Sequence, residues 1–78
     1  MYSKELFANE LRNQIAKGFD LQRISTWADD TFFLHQRELE KGLYEYFMRV
    51  LMMEMGSEFV LTEQELLEMA NELSGDST

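Results

Sequence analysis

Apolar residues recur along this 78-residue chain at intervals of three and four, in four blocks set apart by glycines and a short polar lapse. That spacing predicts helices with one inward face each. In the first block Phe7, Ala8, Leu11 and Ile15 share a face, with Leu6 beside them, and Ser3 stands where an N-cap is needed, so a helix is predicted over 4–17. Lys17 lies at the negative end of that helix, Gly18 provides a residue that can take the left-handed conformation to end it, and Phe19 is expected to fold back as an apolar contact. A second helix, over 20–35, has Asp20 as its N-cap and Leu21, Ile24, Ala28 and Phe32 along one face, bordered by Trp27. The connection between the two is so short that they are expected to pair as a helical hairpin. Its end is placed at His35 to Arg37, where the apolar pattern lapses; one bent continuous helix is the alternative, because 31–40 contains neither Gly nor Pro.

The third block, Leu39 to Met55, is apolar around well over half of a helical circumference, and a helix is predicted over 38–55. Phe47 is the middle of its buried face, flanked by Leu39, Leu43, Tyr44, Val50 and Leu51, while Glu40 and Glu54 interrupt the face near its ends. Lys41, Glu45 and Arg49 form a solvated stripe in which Glu45 and Arg49 are spaced for an ion pair. Met48, Met52 and Met55 occupy a flank expected to expose apolar surface. After Gly56, residues 57–61 read as an extended connector whose Phe59 and Leu61 tuck into the bundle.

The fourth helix, predicted over 63–73, carries the best local signal: Thr62-Glu63-Gln64-Glu65 is a capping box, and Leu61 with Leu66 is spaced as a hydrophobic staple. Leu66, Met69, Ala70 and Leu73 face inward with Leu67 at the border. Glu65, Glu68 and Glu72 make an acidic ridge, Asn71 and Ser74-Gly75 end the helix, and 74–78 reads as a frayed tail. The whole is an all-α chain of one domain, 1–78, expected to form a small antiparallel four-helix bundle with helix three most deeply buried.

Charge changes this picture more than composition does. Residues 1–37 balance five acids (Glu5, Glu10, Asp20, Asp29, Asp30) against Lys4, Arg12, Lys17, Arg23 and Arg37; residues 38–78 set ten acids against Lys41 and Arg49, so the net charge of -8 lies entirely in the second half. Such a surface repels nucleic acid and anionic membrane and attracts basic protein. At 45% apolar and 13% aromatic, the chain is too rich in core-forming residues for a disordered acidic tail. The absence of cysteine excludes disulfides and thiolate zinc sites. With no run of eighteen apolar residues and charges in the first ten positions, a cytoplasmic location is expected.

No catalytic or cofactor signature is present, and no enzyme activity, metal or cofactor is expected. His35 is the one histidine, so no His pair for a metal and no Ser-His-Asp set with a spare base can be built, and it reads as exposed or helix-terminal. Asp29 and Asp30 are adjacent, about 100 degrees apart on a helix, and read as solvated. Glu65, Glu68 and Glu72 lack the inward Glu-x-x-His partner of a bundle metal site. They are either a solubilising face or a docking surface for a basic protein. The methionines, Met48, Met52, Met53, Met55 and Met69, read as core filler before binding groove, and Trp27, Tyr44 and Tyr46 as core edge before interface anchors.

The first helix closing on AKGFD, the second carrying ISTWA, the apolar third and the acidic close EFVLTEQELLEMANEL together resemble, in layout, the small immunity proteins that bacteria make against their own toxins, most of all the colicin D immunity-like group. The resemblance implies a helical bundle that covers the cleft of a basic nuclease with acidic side chains. No individual family residue carries over, so the candidate partner-binding residues come from the charge pattern: Glu54, Glu58, Glu63, Glu65, Glu68 and Glu72. The expectation is a non-enzymatic, immunity- or antitoxin-like binding module for a basic protein such as a toxin or nuclease domain. The alternative is a homodimer formed through Met48, Met52 and Met55.

Overall fold

The first helix starts where Ser3 dictates. Its hydroxyl oxygen accepts from the Leu6 amide at 3.1 Å, satisfying one of the free N–H groups of a helix start, and α1 runs Lys4–Ala16. This is a computed structural model, and it describes residues 1–56, 58 and 60–75. Lys17 is the C-cap, and Gly18, at φ 116°, takes the chain out of the helix through a conformation that favours glycine. Phe19 does not fold back and is 41% exposed. The end of α1 is covered instead by Arg23, whose guanidinium donates to the carbonyls of Gln14 (2.6 Å) and Gly18 and to the Gln14 side chain (3.3 Å).

Arg23 thus places a cation at the negative end of a helix, adding a second donor to the Gln14 carbonyl, which already accepts from the Lys17 amide. Replacing Arg23 with alanine is expected to lower the free energy of unfolding by about 1–2 kcal/mol. Urea denaturation reads this directly, and an unchanged midpoint would show that these bonds contribute nothing net.

Asp20 caps α2, Leu21–His35, accepting from the Arg23 amide at 3.2 Å. Its buried face comprises Ile24, Ser25, Ala28 and Thr31, with Leu21, Trp27 and Phe32 partly buried against the core. The face therefore includes two hydroxyl residues that the apolar pattern passes over. Ser25 is fully buried, and its hydroxyl has no hydrogen-bond partner among the described residues. An orphaned buried hydroxyl costs stability, so Ser25→Ala is expected to leave the protein as stable as before or more stable by up to about 1 kcal/mol. A clear fall in thermal midpoint would contradict that expectation.

The helix predicted over 38–55 is shorter at both ends: α3 is Leu43–Leu51. Its N-cap is Gly42 at φ 89°, a left-handed residue that cannot continue a helix, and the preceding turn has other bonds to make. The Tyr2 amide donates to the Glu38 carbonyl (2.8 Å), the Glu40 amide donates to the Tyr2 carbonyl (2.9 Å), and the Glu40 carboxylate accepts from the Lys4 amide (3.0 Å). Tyr2 and Leu39 form a parallel bridge. Glu38, Leu39 and Glu40 are therefore a strap holding the N-terminal segment, not the first turn of a helix. At the other end the chain tightens into a 3-10 turn, Met52–Glu54.

Phe47 is the middle of the buried face, as its spacing predicts. It is fully buried, with Phe7 edge-on at 4.5 Å, Phe32 at 5.6 Å and Tyr2 at 6.0 Å between ring centroids. Trp27 rests on Phe7 (5.3 Å) and Tyr44 on Phe32 (5.7 Å), so one aromatic cluster joins the N-terminal segment, α1, α2 and α3. His35 stacks on Tyr2 at 4.5 Å and pairs through Nδ1 with Glu38 at 3.0 Å. Lys41, Glu45 and Arg49 are exposed. Glu45 and Arg49 do not form the expected ion pair; the Arg49 guanidinium lies over the Tyr46 ring, 5.3 Å from its centre.

The capping box of α4, Glu63–Ser74, closes in both directions: Thr62 Oγ1 accepts from the Glu65 amide (3.1 Å), and Glu65 Oε1 accepts from the Thr62 amide (2.9 Å). Leu61 and Leu66, the two staple residues, both pack into the core, Leu61 partly buried and Leu66 fully. Leu66, Met69, Ala70 and Leu73 face inward. Ser74 belongs to the helix, not to a frayed tail: its hydroxyl accepts from Arg12, which also donates to Asn71 at 2.9 Å. Residues 76–78 and Phe59 lie outside the described residues.

The four helices make a small all-α bundle. Its pairing differs from the expected hairpin: α1 lies chiefly along α4, α2 packs on α3, and α1 and α2 touch less. Among the described residues no helix is long and apolar enough to cross a membrane.

Candidate functional site

Once the capping box sets the phase of α4, Glu65, Glu68 and Glu72 fall on one side of it at offsets of three and four. They line a groove of about 480 Å³ together with Glu58, Val60 and Leu61 from the segment before α4, and with Arg49 and Met52 from the end of α3 and the 3-10 turn. Met69, almost wholly buried, and Leu61, partly buried, join the more exposed Met52 and Val60 in its apolar lining. Four carboxylates and one guanidinium leave this lining with three net negative charges at neutral pH.

The carboxylates are not equivalent. Glu65 is engaged in the capping box, and Glu72 accepts weakly from the Tyr46 hydroxyl at 3.4 Å. Glu58 and Glu68 are exposed and have no hydrogen-bond or ion-pair partner among the described residues. No group of three His, Cys, Asp or Glu among the described residues is placed to hold a metal ion. The charges are spread along the groove, an arrangement suited to several cations on one chain.

Of the six glutamates predicted to bind a partner, Glu58, Glu65, Glu68 and Glu72 come together here. Glu63 lies outside, in the first turn of α4, and Glu54 lines a neighbouring depression with Leu21, Gln22, Met53 and Gly56 that adjoins the groove at Val60. The methionine flank does not survive as a strip. With α3 ending at Leu51, Met52 and Met55 belong to the tighter turn and its cap, Met48 is partly buried against the core, Met52 lines the groove and Met55 is 75% exposed. Met53 and Met69 are core filler. An exposed apolar pair lies elsewhere, Phe33 and Leu34 at the end of α2, at 74% and 73%.

Trp27 is partly buried and Tyr44 half exposed, both in contact with core rings, in keeping with core-edge roles. Asp29 and Asp30 are exposed. Sequence reasoning passed over Arg49 as a member of the site; its place one turn before Met52 was the available signal. No family model, curated protein or solved structure matches the chain.

Proposed function

We propose that this chain is a non-catalytic binding module whose groove between α3 and α4 receives a basic segment of a protein partner. The observation that carries the reading is the joining of an apolar lining to four glutamates, with Arg49 the lone cation among the described lining residues. Apolar contact supplies affinity and the carboxylates select the sign of the partner and speed its approach. The same charges disfavour nucleic acid and anionic membrane.

An immunity- or antitoxin-like role, with a basic toxin or nuclease domain as the partner, is the specific form suggested by the layout of helices and acidic close. The homodimer alternative retains the exposed Met55 and half-exposed Met52; sedimentation equilibrium decides it, since a monomer at high concentration removes it.

Affinity capture from the source cells tests the main reading. The expected result is a basic protein retained by the wild-type chain and by Glu63→Lys, which lies outside the groove, but lost with the double variant Glu68→Lys/Glu72→Lys. Titration of that protein should then show affinity falling by about tenfold or more as salt is raised severalfold. A partner held equally by all three chains, or indifferent to salt, would refute the proposal.

A further inference from the structure

Two parts of a guanidinium site meet at the groove: Glu72 lines it, and Tyr46, which is not a lining residue, touches both Glu72 and the lining residue Arg49. The Tyr46 ring offers a π-face, Glu72 offers a carboxylate, and the Tyr46 hydroxyl donates to that carboxylate, linking the two across α3 and α4. The face is already covered by a guanidinium of the chain itself, Arg49, centred 5.3 Å from the ring. Arg49 makes no hydrogen bond or ion pair with any described carboxylate, although Glu72 lines the same groove. An exposed cation–π contact is weak, about 0.5–1 kcal/mol, and easily given up.

A planar guanidinium can stack on a ring and fork onto a carboxylate at the same time, which a lysine ammonium cannot. We infer that the groove selects an arginine-bearing segment of its partner, and that Arg49 is an internal competitor which the partner's arginine displaces from Tyr46 before pairing with Glu72. The apolar lining at Met52, Leu61 and Met69 then receives an apolar side chain next to that arginine. This inference rests on the groove being the binding surface proposed above.

Two labelled 12-residue probes test it by fluorescence anisotropy: one of alanine and arginine with a central leucine, the other with lysine in place of every arginine. The wild-type chain is expected to bind the arginine probe several-fold more tightly than the lysine probe. Arg49→Lys keeps the charge but weakens the stack, and should raise arginine-probe affinity by about threefold or more. Arg49→Ala should raise it further, and Tyr46→Leu should abolish the preference for arginine. If both probes bind but equally well, or if Arg49→Lys matches wild type, the displacement inference fails while the groove reading stands. If neither probe binds any variant at low salt, the groove reading fails with it.

Discussion

Phe47→Ala is expected to cost about 3–5 kcal/mol, the usual penalty for removing a buried phenylalanine, and to lower the urea midpoint far below that of the wild type. A chain of 78 residues has a total stability of roughly 4–12 kcal/mol on a per-residue basis, so one such loss consumes much of it. The severity follows from the position of the ring. Phe7, Phe32 and Tyr2 all approach it, so truncation leaves a cavity bordered by three aromatic rings on separate parts of the chain that cannot all collapse inward together. Phe47→Leu retains most of the volume and should cost much less, on the order of 1–2 kcal/mol. Urea denaturation followed by circular dichroism separates the two, and an alanine variant within about 1 kcal/mol of wild type would show that the cluster does not depend on this ring.

The second large effect concerns Tyr2 and has a pH signature. Tyr2 is 3% exposed and donates its hydroxyl hydrogen to the Glu10 carboxylate. Burial first, and then the bond to Glu10 and its charge, push the hydroxyl's pKa well above the ordinary value near 10. The folded state therefore holds this proton to higher pH than the unfolded state does. The associated stability is complete below about pH 10 and is lost as pH rises above it, by about 1.4 kcal/mol per pH unit until the folded form also ionises. Tyr2→Phe keeps the ring against Phe47 and His35 but cannot ionise. It is expected to be about 1–2 kcal/mol less stable than wild type at neutral pH, through loss of a hydrogen bond to a charged acceptor, and to show none of the alkaline decline from this group. The two stability curves should close on one another between about pH 9 and pH 11; a constant separation over that range would mean that the Tyr2 hydroxyl ionises as freely folded as unfolded.

What was legible in the sequence was whatever depends on neighbours in the chain. The caps at Ser3, Asp20 and Thr62 act over three residues, and each is found in place. The inward face of α4 follows from its period once Thr62 sets the phase. The start of α3 was not legible, because the turn before it is held by Tyr2, thirty-six residues earlier than the Glu38 carbonyl it engages. A helical pattern that includes Leu39 records only that the residue is apolar, and Leu39 meets the core equally well from a strap. Gly42 was the available signal, since a glycine at that position can take the left-handed conformation that sets the start of α3.

The candidate site divides in the same way. The ridge of Glu65, Glu68 and Glu72 is a matter of helical phase, but the opposite wall depends on how the 3-10 turn delivers Met52 and on where Arg49 points, both tertiary outcomes. Glu54 and Glu63 were grouped with the others by charge alone, and distance separates them. Ser25 was passed over because it is polar, although its position three before Ala28 and four after Leu21 placed it on the buried face.

The pairing of α1 with α4 has a consequence for how the chain folds. The face of α1 bearing Phe7, Ala8, Leu11 and Ile15 is covered by a helix from which α2 and α3 separate it, so their contact closes a long loop. The pairing of α2 with α3 spans one short connection and is the cheaper contact to make first. Until Leu66, Met69 and Leu73 dock, the folding chain is an open half-bundle with the apolar side of α1 uncovered, the state most prone to aggregation.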